Sequence, residues 1–510
     1  MNTISLEQLL EWNKKFTENE NNKMIQNAVS GNNLENISLN RDILKSVNYN
    51  YSHRVTPIIK PTDQKSSGRC WIFSLMNSIR NSFIEKYNLE TNFEFSQSYI
   101  FFYDKLERCN FYLNNIKILK SKNIPKMELD RILHKITSDC CSDGGQFSMI
   151  KDLILKYGMV PKSEYNESYH TSNSKDVNNI LKKIVRYYGM KLWYIKNDDK
   201  NDDKENDKEN DDKENDDKEN DKENDDKEND KENDKENDKE NNDKENDDKN
   251  DKKNDKKNYD KNDKENAIIK KAMKKIYNIL LKFFGTPPTN FNWEYTDKKN
   301  VYHIEKDLTP QKFYEQYIKS FYDINNYISI INDPRKEHPY NKSYQIEYLG
   351  SIVDKPVLHL NLSIDRMKEL IKKSILYNKP VWFGCDYGKE MSKTKALLDT
   401  EIINIDNLLD IKDVKYTKEE QIIWNESSMN HAMLFTGFSE TNNGLIFEVE
   451  NSHGDKINNG YLKMTEKWFD QYVYQIATDI SYLNSEEKEG YEKEPIILPI
   501  YDSYGTLAKL

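Results

Sequence analysis

Four side chains carry the chemistry this sequence can do: a cysteine, a histidine, an asparagine and a glutamine. Cys70 closes the polar, glycine-bearing stretch QKSSGRC at residues 64–70. Beyond it, apolar residues fall at Ile72, Met76, Ile79 and Phe83, with Phe73, Leu75 and Ile84 on the flank. That spacing predicts one buried face of a helix about four turns long. Cys70 then sits at a helix N-terminus, where unpaired N–H groups and the macrodipole favour an anion. A thiol placed there can ionise near neutral pH and act as a nucleophile. A buried, inert core cysteine is the alternative use of the same residue.

The elements that must position its partners lie far downstream. His431 opens an apolar run, NHAMLF at residues 430–435, that reads as a strand. Leu445, Phe447 and Val449 then alternate with Ile446, Glu448 and Glu450 in a second strand that ends at Asn451. A cysteine on a helix facing a histidine and an asparagine on a sheet is an arrangement for thiol acyl transfer. The histidine takes the thiol proton, and the asparagine holds the imidazole by its other ring nitrogen.

These segments do not stand alone. With them, in order, come EFSQSY at 94–99, DGGQ at 143–146, YGMVP at 157–161, GTPP at 285–288, WEY at 293–295, NDPR at 332–335, VWFGCD at 381–386, VENS at 449–452 and EPIILP at 494–499. The set resembles the bleomycin hydrolase and aminopeptidase C family, an aminopeptidase branch of the papain-like cysteine peptidases, nearly end to end.

The resemblance implies an α+β, papain-like two-lobe fold, with a helical lobe, a β-rich lobe, an extra helical subdomain and a C-terminal arm that enters the active site. It implies a cytoplasmic cysteine aminopeptidase acting on short peptides with a free N-terminus. It also implies assembly as a homohexamer, with neither cofactor nor metal. Cys70, His431 and Asn451 take the catalytic positions, and Gln64 matches the oxyanion-hole glutamine. Gly144 and Gly145 match the glycines along which an extended substrate lies, with Gln146 holding that loop. Leu510, at the end of the arm, offers its carboxylate to the substrate's α-amino group. The ending AKL at 508–510 is a little longer than in many relatives, so either the last residues are trimmed or the arm sits differently. One departure stands out: two residues after Asn451 the family carries Trp, and this chain carries His453. An active but slower enzyme is the expectation.

Composition sets the bounds. The 510 residues suffice for a large core and two or three lobes. Of 88 acidic and 77 basic residues, 33 and 18 fall in an Asn/Asp/Lys/Glu repeat at 197–266, which therefore carries −15 and leaves the remainder at +4. The repeat has one aromatic, Tyr259, and reads as a disordered insert. Around it we expect an N-terminal arm at 1–50 packed across the body, the helical lobe at 51–196 and a helical subdomain at 267–350. A helix at 267–284 opens that subdomain. The β-rich lobe follows at 351–485, and the arm at 486–510. The five cysteines (70, 109, 140, 141 and 385) form no metal-ligand pattern with His134 or any other histidine. Nothing in the sequence reads as a signal peptide or a membrane span.

Two other functions compete. A papain-like endopeptidase requires an open cleft, and a catalytically weak hexameric scaffold or pseudoenzyme requires no working thiol. Nucleic-acid binding has little support from a body charge of +4.

Overall fold

The computed structural model describes residues 3–195 and 245–509, with side-chain detail from 262 onward in the second stretch. Its centre is one mixed sheet. From edge to edge it runs through Ile496–Leu498, Lys342–Ile346, Val357–Asn361, Tyr327–Ile331, Val473–Asp479, Val381–Cys385, His431–Thr441, Gly444–Glu450, Tyr461–Thr465, Leu397–Leu398 and Met391–Ser392. Val381–Cys385 is buried along its whole length and lies antiparallel to both neighbours. An uninterrupted apolar run is what a strand covered on both faces requires.

Against one side of the sheet packs the helix Cys70–Lys86, which buries every residue except Ser82, Glu85 and Lys86. The sequence predicts a single buried face. The helix is instead sandwiched between the sheet and the helices Gln97–Ser121 and Phe147–Tyr157. Its polar residues are tolerated because each is bonded: Ser74 Oγ donates to the Met433 carbonyl at 2.6 Å, and Asn77 Nδ2 to Glu450 at 2.6 Å. One apolar core lies among the helices, around Trp71, Phe83, Phe95 and Trp293. The other lies on the sheet, around Phe383, Phe435, Phe447 and Trp468.

Three expected boundaries are corrected. Residues 267–350 are not a helical subdomain. After the helix ends at Phe284, with Gly285 at φ +85°, they form the hairpin Phe291–Thr296 and Tyr302–Leu308 and two strands of the main sheet. The YISII run at Tyr327–Ile331 is a fully buried strand, a pattern too short to separate from a helix by periodicity alone.

The helix that ends at Phe284 also begins at Glu245, well inside the repeat expected to be disordered. Its packed part starts by Glu265, which is buried against Lys117 and Lys120 at 4.0 and 3.7 Å. The rest of the expected insert, 197–244, lies outside the described residues.

Finally, the N-terminal arm does not pack across the body throughout. Leu6–Glu18 and Glu20–Gly31 are helices that bury no residue, and the arm is tied to the body at Glu35, which accepts from Ser392 and Thr394, and at Leu39, which bridges to Ile403.

Candidate active site

The turn before Cys70 is held from beneath by Arg69. Its guanidinium is wholly buried, donates twice to Glu167 at 3.0 Å each, and lies over the rings of Phe73 and Phe101. The helix starts directly at Cys70, and no side chain caps it. Its first turns are pinned to the sheet: Trp382 Nε1 donates to the Trp71 carbonyl at 3.1 Å, and Ser74 reaches Met433, two residues past His431. Cys70 and His431 are thereby brought to the same end of the sheet. Cys385 marks the place, since it pairs with His431 across the strands, and burial, Asp386 and Cys70 together push its thiol up.

His431 is fully buried, and its Nε2 lies 2.9 Å from Asn451 Oδ1. That oxygen also accepts the Ser452 N–H at 2.8 Å, which fixes the orientation of the carboxamide. An oxygen can only accept, so Nε2 carries the proton and Nδ1 keeps the lone pair. Nδ1 has no hydrogen-bond partner among the described residues. Nδ1 is thus the ring nitrogen that could accept a proton. Burial pushes His431 down to about 3, with His453 adding to the shift and Asn451 opposing it. An imidazolium at this depth requires an anion beside it, so proton transfer from a neighbouring thiol would create the two charges as a pair.

Gln64 belongs to the same cluster. Its backbone N–H donates to the Ser452 carbonyl at 2.8 Å, and its side-chain Oε1 accepts from Ser452 Oγ at 2.6 Å. Nε2 donates to the Ser67 carbonyl at 2.7 Å. The sequence motif VENS contains Ser452, but its link to Gln64 spans nearly four hundred positions and has no local signal. Tyr387 was also missed. Its ring lies 4.9 Å from that of His431, and its hydroxyl faces Asn451. His453 sits on the other flank, 5.1 Å from the His431 ring, with its Nδ1 at 3.4 Å from Asn451 Nδ2.

Gly144 and Gly145 do face an extended strand, and that strand is the chain's own C-terminal arm. Gly145 and Ala508 exchange both backbone hydrogen bonds, at 3.0 and 3.1 Å, and the Lys509 N–H donates to the Asn430 carbonyl at 2.8 Å. A Cβ on Gly144 would come within 2.5 Å of Lys509 Cβ, and one on Gly68 within 2.6 Å of its carbonyl oxygen. These glycines leave room for a backbone. Gln146 holds the arm rather than its own loop: Nε2 donates to the carbonyls of Tyr504 and Thr506 at 2.9 and 2.7 Å. Arg335 clamps Asp502 with two bonds of 3.0 Å. The glycine loop itself is fixed by Asp143, which binds Lys105, Ser174, Asn178 and the Gly68 N–H. Burial works to raise that carboxyl, yet Lys105 and the hydroxyl and amide donors hold it well below the usual range. Leu510 lies outside the described residues.

The chain as a whole is similar to known peptidases. Residues 3–214 and 226–505 match the Peptidase C1-like family. The bleomycin hydrolase of Mus musculus is 32% identical over 493 residues, covering 95% of this chain and 94% of the mouse protein. Aminopeptidase C of Lactobacillus delbrueckii subsp. lactis is 34% identical over 453 residues, covering 88% and 86%. The crystal structure of PepW from Lactobacillus rhamnosis HN001 superposes with a TM-score of 0.81 at 29% identity, covering 99% of both chains. The chain therefore belongs to the Peptidase C1-like family, among the cysteine aminopeptidases called bleomycin hydrolase and aminopeptidase C.

Proposed function

We propose that Cys70 is the nucleophile of this peptidase, His431 its base and acid, and Asn451 the group that orients the imidazole. The thiol gives its proton to His431 Nδ1, and the sulfur attacks a peptide carbonyl. Gln64 Nε2 and the Cys70 N–H donate to the resulting oxyanion, a preorganised contact worth about 3–4 kcal/mol of barrier. His431 then protonates the leaving amine and activates the water that releases the acyl group. Tyr387 and His453 flank the His431–Asn451 bond. The fold around these groups is read as the papain-like pair of lobes, with the helices around Cys70 in one and the sheet around His431 in the other.

The observation that carries the reading is the arm's pairing with Gly145 and Asn430. It imitates a bound substrate strand, with Ala508 one position back and Lys509 directly before the bond to be cut. An arm in that place excludes long peptides and favours cleavage of N-terminal residues. Removal of the chain beyond Ala508 would free the position next to Cys70. It would also leave a carboxylate at Ala508 to meet a substrate's α-amino group. Leu510 would then act only until that trimming.

The substrates are short peptides with a free N-terminus. A chain that works through a free thiol suits a reducing compartment, the cytoplasm. Self-association, with a homohexamer as the form the resemblance implies, is supported by the N-terminal helices, where Leu6 is 72% exposed, Leu10 62% and Trp12 50%.

Paired fluorogenic aminoacyl substrates, one with a free amine and one N-acetylated, test the reading. Cleavage of the free-amine substrate alone, abolished by Cys70→Ala, supports it. Cleavage of the acetylated substrate returns the endopeptidase, and cleavage of neither by folded protein returns the scaffold. Intact mass of wild type and Cys70→Ala after incubation tests the trimming.

A further inference from the structure

Beside the site, and sharing Asn451 with it, lies a pocket of about 220 Å³ to which the arm makes no hydrogen bond among the described residues. Its walls include Tyr387, Asn451, His453, Lys393, Lys456 and Ile457. Asn451 is shared: its Oδ1 holds His431 while its residue also forms the pocket wall. The arm's bonds go to Gly145, Gln146 and Asn430, and none of these residues lines the pocket. A peptide whose acyl part follows the line of the arm would have its leaving part on the pocket's side.

The charge of this pocket is one-sided. Lys393 and Lys456 are exposed, and neither makes an ion pair or a side-chain hydrogen bond among the described residues. The neighbouring carboxylates are engaged elsewhere: Asp63 with Lys65 at 2.7 Å, Asp455 with Lys60 at 3.7 Å, and Glu35 with the hydroxyls of Ser392 and Thr394. Burial pushes His453 down, and Lys393 adds to that push against the pull of Asp63, so the ring is biased towards its neutral form. Two lysines with no ion-pair partner among the described residues therefore line a cavity roomy enough for one side chain.

We propose that this pocket receives the leaving-group side of the peptide and selects a carboxylate there. The carboxylate is either the side chain of an acidic residue directly after the scissile bond or the C-terminus of a dipeptide. The inference rests on the peptidase reading above. Two solvated lysines give about a tenfold preference in kcat/KM, and the preference fades as salt screens them.

The test uses the full chain and four substrates with the same N-terminal residue: leucyl-alaninamide, leucyl-alanine, leucyl-glutamic acid α-amide (side-chain carboxylate free, C-terminus amidated), and leucyl-lysinamide. Wild type should favour leucyl-alanine, the acidic amide, or both, over leucyl-alaninamide by about tenfold at low salt. Which of the two is favoured assigns the terminal or the side-chain carboxylate. The double variant Lys393→Glu/Lys456→Glu should turn the preference towards leucyl-lysinamide, and Lys393→Arg/Lys456→Arg should keep the wild-type order. Equal kcat/KM for all four substrates in wild type, or an unchanged order in the glutamate variant, overturns the assignment. Cleavage without discrimination overturns the pocket alone, whereas cleavage of none overturns the peptidase reading and this inference with it.

Discussion

Ser452 Oγ donates to Gln64 Oε1 at 2.6 Å, tying the loop that follows Asn451 to the loop that precedes Cys70. Both groups are buried. The bond engages the oxygen edge of the Gln64 carboxamide, while its nitrogen edge donates to the Ser67 carbonyl at 2.7 Å. Ser452→Ala would remove this buried donor from the Gln64 oxygen, a cost of about 1–3 kcal/mol. We expect kcat to fall by roughly ten- to a hundredfold with KM little changed, and Ser452→Thr to restore most of it. Steady-state kinetics on a free-amine aminoacyl substrate reads both.

Asn451 should matter through the ring it holds. Asn451→Ala removes the acceptor of the His431 Nε2–H and frees the imidazole to turn or change tautomer. The expected loss is about ten- to a hundredfold in kcat, well short of the complete loss in Cys70→Ala. Alkylation of Cys70 by iodoacetamide across pH should slow in parallel, because the same imidazole takes the thiol proton. An unchanged alkylation profile would contradict the role given to Asn451.

Release of the arm should widen specificity. Gln146→Ala deletes two hydrogen bonds to the arm and leaves the carbonyls of Tyr504 and Thr506 without that donor. The N-acetylated substrate, refused by wild type, should then be cleaved at a measurable rate. Deleting residues 503–510 should have the larger effect. Comparing kcat/KM for acetylated and free substrates in the two variants checks the order.

Acid should destabilise the fold partly through its buried histidines. His359 is fully buried, with Nδ1 bonded to Ser329 Oγ at 2.7 Å, and burial pushes it down to about 3. Its folded pKa lies below the unfolded value near 6.5, so the unfolded chain binds the proton first. Stability is therefore unaffected above pH 6.5 and is lost as pH falls from there towards 3. Glu450 works in the opposite sense. Burial raises it to about 7, although Arg80 and Asn77 pull it down, so its contribution is lost as pH rises from about 4.5 to 7. His359→Leu isolates the first effect. Between pH 7 and 4.5, wild type should lose roughly 2–3 kcal/mol more than this variant in urea unfolding.

Much of the site was legible in the sequence because its residues sit at the ends of strongly patterned elements. The apolar spacing after Cys70 gives a helix beginning at that residue, and the alternation from Leu445 to Val449 gives a strand ending at Asn451. The residues that hold them were not legible. Ser452 meets Gln64, and Trp382 meets Trp71, through contacts hundreds of positions apart that leave no periodic trace. Tyr327–Ile331 failed for a related reason. A short, wholly apolar run looks alike in helix and strand, and only its pairing with Val473–Asp479 made it a strand.

By itself the sequence determined the chemical types, their order and the local elements that present them, because backbone periodicity is a property of neighbouring residues. The tertiary structure alone decided which nitrogen of His431 is the base, since that depends on where Asn451 Oδ1 lies. It decided that Gln146 grips the arm and not its own loop. It also decided that Lys393 and Lys456 line one cavity, because charges separated in the chain meet only once folding has brought them together.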